Sequence, residues 1–382
     1  MSRRYLNLIV HDFSSRVYSL CRIDVRKHLF YKDSEIARRA AQAATENKSN
    51  RGELATMGGC KRLPPPAINF QASPSAVNTN TVYLFSLLGG ESNVLYSDNN
   101  CHTTLCSLDD MELIQPFAPP NSCKAPDAIS LPVTSLVKPP SLYVLDLSPV
   151  VEDTDCCFEV LSHRNNAPAL EKEWSWDILP PPPFFRNPST APDLYSYAVV
   201  DDSTICISSL DQAIGTHTFD MPSKKWSHAA CWALPFFGRA EYVPELDLWF
   251  GLSACNPFSS LCAFDLSAIG SGQLEAPKVQ HNWDFLDLPE EEPWSPSQLH
   301  LFSLGSGKFC VVTFFGTELR TCGGMSPYDS DSDYEDTFGG RECAVFTGLE
   351  VKRGDDGEGP LQFIKHMSKR FSVGDLNIDC VL

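Results

Sequence analysis

The densest concentration of reactive side chains is Cys101-His102-Thr103-Thr104-Leu105-Cys106, two thiols and an imidazole within six residues. Zinc takes four ligands, usually from two paired clusters. The chain has no Cys-x-x-Cys and no second compact His/Cys group, so this segment predicts no metal site. Adjacent Cys156 and Cys157 would point to opposite faces of a strand, which separates their thiols. Neighbouring carboxylates occur at Asp201-Asp202 and Glu290-Glu291-Glu292, where general acid–base chemistry is conceivable but solvated turns are the simpler reading. Gly305-Ser306-Gly307 is too short to cradle a phosphate and suits a hairpin tip. No phosphate-binding loop, dinucleotide fingerprint, His-Glu-x-x-His or Gly-x-Ser-x-Gly is present. The expectation is therefore no catalytic residue, no metal ligand and no cofactor, and a chain that is not an enzyme.

Two segments are candidates for binding, beside the simpler readings of a solubilising surface loop for the first and a rigid connector for the second. Ser326 to Asp336 alternates serine with acids and lacks aliphatic residues, so it cannot offset the entropy of ordering. Residues 323–341 are expected to form an acidic disordered loop. Ser330 and Ser332, each followed by acids, resemble acidophilic-kinase sites, where a phosphate would add about −1.5 to −2 charges. Leu179-Pro180-Pro181-Pro182-Pro183-Phe184-Phe185 reads as a polyproline II stretch. Such segments dock into aromatic grooves of SH3, WW or EVH1 domains. Prolines recur at Pro64–Pro66 and Pro119-Pro120, so a rigid connector is the preferred reading.

The elements that would hold these residues are short strands rich in Val, Ile, Tyr, Phe and Thr, bounded by turn clusters such as Ser97–Asn100 and Asp201-Asp202-Ser203. Asp and Asn tolerate the positive φ of tight hairpins. One helix competes: Ser34 can cap Glu35 to Ala44, an alanine-rich run that ends in the polar stretch from Asn47 to Glu53. Residues 34–53 are expected to be an exposed insertion.

Proline-containing exits recur at Pro64, Pro116, Pro180, Pro235 and Pro289, at spacings of 52 to 64 residues, with about four strand-like runs between them. Even spacing of four-stranded units argues for a β-propeller, whose radiating sheets hide their edges. The stretches before Leu63 and after Pro289 would add one unit each. The expectation is a single all-β domain over residues 1–382 with about six blades, seven also being allowed. Trp176, Trp226 and Trp249 are assigned to packing between blades. Two β-sandwiches would need a mid-chain linker, and none is visible.

Composition bounds the remaining classes. The chain has 382 residues, 43% of them hydrophobic, and a formal charge of −18. Residues 1–62 carry 13 Lys/Arg against 6 Asp/Glu, so the acidity lies in the remainder. An acidic body repels phosphate backbones, which argues against nucleic acid. No apolar run approaches the roughly 20 residues of a membrane span, and the start lacks a secretory apolar core. Fifteen cysteines, an odd number, sit singly in apolar runs and read as free, buried thiols of a cytoplasmic or nuclear protein.

Two resemblances sharpen this. Thr216-His217-Thr218-Phe219-Asp220, a turn, then Trp226 resembles a kelch-type blade, with weaker echoes at Leu142–Asp146 and Cys262–Asp265. Arg3–Val10, Leu63–Phe70, Cys156–Leu161, Trp174-Ser175-Trp176 and Ala240–Gly251 together resemble a family expanded in grasses, catalogued as domain of unknown function 1668. That resemblance spans nearly the whole chain and implies no activity. The resulting expectation is a non-enzymatic, kelch-like platform for an unknown protein partner, monomeric and off the membrane. The alternative is a propeller enzyme or small-ligand binder with its site in the central channel.

Overall fold

Leu248–Ser253 and Ser260–Phe264 are buried at every position, on both faces of the strand. Strands covered on both sides lose the usual alternation and read as continuous apolar runs. The cause is the arrangement of sheets in the computed structural model, which describes residues 3–47, 61–72, 81–109, 112–134, 139–147, 155–163, 174–186, 194–254, 260–269, 275–286, 294–317, 341–354, 359–374 and 376–382.

In chain order, β1 (Tyr5–Asp12) and β2 (Val17–Asp24) are followed by α1 (Val25–Leu29), α2 (Ser34–Asn47), β3 (Lys61–Arg62) and β4 (Pro66–Phe70). Next come β5 (Val82–Leu87), β6 (Asn93–Asp98), β7 (Thr103–Ser107), β8 (Glu112–Phe117), β9 (Ile129–Val133), β10 (Ser141–Leu145), β11 (Phe158–His163) and β12 (Trp174–Ile178). The second half holds β13 (Leu194–Val200), β14 (Thr204–Ser209), β15 (Thr216–Asp220), β16 (Lys225–Ala230), β17 (Phe236–Val243), β18 (Leu248–Ser253), β19 (Ser260–Phe264) and β20 (Val279–Asp284). It ends with β21 (Trp294–Gly305), β22 (Lys308–Thr317), β23 (Arg341–Lys352), β24 (Gln362–Ser372) and β25 (Asn377–Val381).

The described strands form four-stranded units: β25-β1-β2-β4, β5 to β8, β9 to β12, β13 to β16, β17 to β20 and β21 to β24. This is an all-β propeller. The fourth and fifth units are joined by parallel pairing of β13 with β17, and β3 adds to β24 in parallel. Separate hydrophobic clusters fill the space between successive units. Phe158 and Ile205 belong to one, Phe250 and Phe309 to another, and Leu8 and Phe346 to the one joining the last unit to the first. The ring is therefore closed by packing as well as by pairing.

Two sequence expectations are corrected here. The stretch before Leu63 does not make a unit alone. The first unit takes β4 from beyond Pro64 and β25 from the far end of the chain, where Leu8 pairs with Val381 and His11 with Asn377. The inserted helix is largely exposed, as expected, but it does not stand alone and Ser34 does not cap it. A second helix, α1, precedes it, and both pack against the last unit, with Val25, Leu29 and Ala37 buried. Asp33, rather than Ser34, caps α2: its Oδ1 accepts from the Ile36 amide at 2.9 Å. The Ser34 hydroxyl is drawn away to Glu350 Oε2 at 2.8 Å, because a buried carboxylate needs donors.

Glu350 gathers three of them. Its Oε2 also accepts from His366 Nε2 at 2.9 Å, and Lys308 Nζ lies 3.2 Å from Oε1. The other ring nitrogen of His366 accepts from the Tyr31 amide, so the imidazole ties the insertion to β24. Gly348 permits the close approach of α1, since a Cβ there would lie 2.4 Å from the Leu29 carbonyl oxygen. Gly348→Ala is expected to cost about 1–3 kcal/mol by overpacking. Amide exchange should rise across α1 and α2 ahead of the sheets; unchanged exchange there would refute this docking role.

The loop between the second and third units is fixed by a buried ion pair. Glu159 accepts from the Asn121 amide at 2.9 Å, from the Asn121 side chain at 2.6 Å and from the Ser122 amide at 3.3 Å. Lys124 Nζ bonds the same carboxylate, together with Ser122 Oγ and the Cys156 carbonyl, both at 2.8 Å. Both charged side chains are wholly shielded from solvent. In the same loop Cys123 is disulfide-bonded to Cys101, which occupies the β6–β7 turn at φ 62°. The reading of every cysteine as a free thiol is corrected for this pair. The two residues are 22 apart in sequence, and only folding of the loop against the turn brings them together.

Candidate functional site

β25, β5, β9, β13, β17 and β21 are the innermost strands, and together they line a cavity of about 940 Å³ along the propeller axis. This is within the size of pockets that take small organic ligands. Period two decides which side chains face it. On β13 they are Tyr195 and Tyr197, and on β17 they are Phe237, Arg239 and Glu241. On β21 they are Gln298, His300 and Phe302, while the intervening Leu299 and Leu301 are buried between units. β25 contributes Asn377 and Asp379. A second pocket, of about 310 Å³, lies outside the channel against Asp247, Asp265 and Arg353 and touches no innermost strand.

The channel has two chemically different ends. β25 runs antiparallel to β1, so its start lies beside His11 and its end beside Leu8. His11 stacks on Tyr18 at 4.1 Å, its Nδ1 is 3.8 Å from Asp379, and its Nε2 is buried without a hydrogen-bond partner. Just beyond, Phe13 leaves the β1–β2 turn and is 64% exposed. Arg3 lies eight residues from His11 along an extended chain, about 26 Å away. There the Arg3 amide donates to the Leu304 carbonyl and its Nε to the Tyr5 carbonyl, and its guanidinium sits 5.6 Å from the Phe302 ring. Arg3 Nη2 is shielded and has no hydrogen-bond partner.

Arg239 Nε meets Glu241 Oε1 at 3.2 Å within Coulombic reach of Arg3. Burial lowers the pKa of Arg3, Glu241 and Glu91 oppose that, and Arg239 adds to it. Burial likewise raises the Tyr197 phenol and pushes the Cys380 thiol up to about 12. The cavity thus has one end carrying Arg3 and Arg239 and another rimmed by Asp127, Asp379 and an exposed aromatic ring.

The residues singled out in the sequence lie elsewhere. Trp176 Nε1 donates to the Ala118 carbonyl, Trp226 Nε1 to that of Pro180 and Trp249 Nε1 to that of Val199, at 2.8, 2.8 and 3.2 Å. Each bond reaches from one unit to the preceding unit or its connector. Pro180, Pro181 and Pro182 form such a connector, and a 3-10 turn opens at Pro183. Pro182 is buried, and Phe184 packs on Trp226 and His217, so the aromatic flank is already used. Cys106 is buried in β7 with its thiol pushed up to about 11, which with the Cys101 disulfide dissolves the His/Cys cluster. Ser330 and Ser332 lie outside the described residues. Among the described residues no group of three His, Cys, Asp or Glu could hold a metal ion, and no helix is long and apolar enough to cross a membrane.

Comparison with known proteins gives a family and little more. The model described as "Protein of unknown function (DUF1668)" matches residues 3–371. No curated protein matches the chain. Among solved structures it is similar to the Cps50 (Swd1) β-propeller domain of Myceliophteria thermophila, at 9% identity over 94% of this chain and 85% of that one, with a TM-score of 0.37. It is also similar to Kluyveromyces lactis Hsv2, at 6% identity over 95% and 99%, with a TM-score of 0.35. Likeness at this level carries no functional argument.

Proposed function

We propose that this chain, which belongs to the DUF1668 family and takes no activity from that membership, is a non-enzymatic platform holding a protein partner at the Phe13 mouth of its propeller. The observation that carries the reading is Phe13 itself, the most exposed of the large hydrophobic side chains among the described residues. Its turn is held in advance of binding. Asp12 Oδ1 accepts from the Ser14 amide at 2.9 Å and the Ser14 hydroxyl at 2.6 Å, and Oδ2 from the Ser15 hydroxyl at 2.7 Å. Those hydroxyls hold the Asp12 carboxyl down to about 2, so the clamp persists at any physiological pH. A rigid aromatic anchor surrounded by a polar rim is the usual anatomy of a binding hot spot. Asp12, Asp127 and Asp379 around it suit a partner that is basic at the contact.

The test is affinity purification of the tagged full chain from its own tissue, as wild type and as Phe13→Asp. A near-stoichiometric protein retained by wild type and reduced at least about tenfold by the variant is expected for a central hot spot. Equal recovery by both would place the partner elsewhere. A partner-free wild-type eluate carrying metal or a small molecule would favour the channel-site alternative instead.

A further inference from the structure

The cationic end of the channel is a built feature that partner binding at the Phe13 mouth leaves unexplained. Shielding a guanidinium while one of its nitrogens lacks an acceptor is costly, since a buried unsatisfied donor loses its hydration without replacement. Arg3 is in that condition, and it stands in the wall of a cavity large enough for a ligand. Its neighbours do not relieve it. Glu241 is engaged by Arg239 at 3.2 Å, and Glu91 spends its Oε2 on the Arg4 and Tyr5 amides, both at 2.9 Å. These two carboxylates still contribute negative potential at Arg3. A dianion such as a phosphate ester would be repelled by them, whereas a single carboxylate matches the one unmet donor. The lining near Arg3 and Arg239 also offers aromatic rings from three innermost strands, Phe302 on β21, Tyr197 on β13 and Phe237 on β17.

We propose that the channel binds a small organic monocarboxylate, its carboxylate on the Arg3 guanidinium and its apolar body along Phe302, Tyr197 and Phe237. To meet it the guanidinium turns from the wall, giving up its Nε bond to the Tyr5 carbonyl, and the ligand carboxylate replaces that acceptor and supplies the missing one. The site is independent of the partner surface, since it lies at the other end of the tube and needs no second protein.

Titration of the purified full-length chain, followed by calorimetry and ligand-observed NMR, tests this with 3-phenylpropionate as the probe. Its alcohol, 3-phenylpropanol, and phenyl phosphate serve as comparators. One saturable site per chain is expected for the acid. Loss of the charge-assisted hydrogen bond to the guanidinium should weaken the alcohol about 10–100-fold. Arg3→Gln should weaken the acid by a similar factor while the melting temperature holds. If that variant melts early, Arg3→Lys keeps the charge and loses the fork, and should bind about tenfold more weakly than wild type. Absence of binding by 3-phenylpropionate, equal binding of acid and alcohol, wild-type affinity in both Arg3 variants, or preference for phenyl phosphate would each overturn the assignment.

Discussion

Lys124→Met is expected to lower the unfolding free energy by about 3–5 kcal/mol, the usual cost of stranding one member of a buried ion pair. Glu159 would keep its amide donors from Asn121 and Ser122 but lose the only cation bonded to it among the described residues. The Cys156 carbonyl and Ser122 hydroxyl would lose a donor in the same step. Glu159→Leu should be at least as damaging, because it also removes the acceptor of the Asn121 and Ser122 amides. The double variant Lys124→Met, Glu159→Leu should recover part of the loss, as the uncompensated charge is then absent. Urea midpoints of the three variants measure this coupling. Single variants within about 1 kcal/mol of wild type would show the pair to be dispensable.

A fall in stability of about 3 kcal/mol is expected between pH 4.5 and pH 2, and Glu350 is its source. Burial alone would raise this carboxyl, but hydrogen bonds from His366 and Ser34 and the charge of Lys308 outweigh it. The group is held at about 2 against an ordinary 4.5. A depressed folded-state pKa means that the stabilisation is complete above the unfolded value and is lost as the pH falls through the folded one. In Glu350→Gln that segment of the pH profile should flatten, with lower stability at neutral pH because the neutral amide replaces the buried charge. Urea unfolding of both proteins at pH 7, 4 and 3 distinguishes the cases. Wild-type and variant profiles that remain parallel would assign the acid sensitivity to other carboxylates.

Much of the architecture was legible because it is written locally. Asp201 and Asp202, read as a hairpin tip, have φ of 52° and 50°, and Thr204–Ser209 follows as a strand. The recurring prolines mark real connectors where the chain passes from unit to unit, as at Pro180 and Pro235. They misled at Pro64, because the insertion between β2 and β4 interrupts the first unit and no local signal marks which strand it splits. The disulfide was hidden for a similar reason: nothing between Cys101 and Cys123 fixes their separation until the loop folds.

The candidate site was hidden by a different ambiguity. Tyr195 and Tyr197, or Arg239 and Glu241, alternate with small or apolar residues just as the wet face of any antiparallel strand does. A polar face turned towards a channel and one turned towards bulk water have the same period of two. Only closure of the ring distinguishes them, and closure depends on residues more than 350 positions apart pairing in the first unit. Arg3 was similarly unremarkable as one of 30 basic residues until its Nη2 was found shielded without an acceptor.

That first unit also sets an order of events during synthesis. β1 leaves the ribosome long before its inner neighbour β25, which begins at Asn377, 365 residues after Asp12. At roughly 5–20 residues per second, translation of that interval takes about 20–70 s. Throughout it, the β1 edge that β25 covers stays unpaired, and Leu6, Leu8 and Val10 lack their partners from the far end of the chain, such as Phe346, Phe371 and Ile378. An unpaired edge next to such a surface is a template for pairing with another chain. The nascent protein is therefore expected to be a chaperone client until β25 has emerged, and slower or stalled translation should convert product into aggregate.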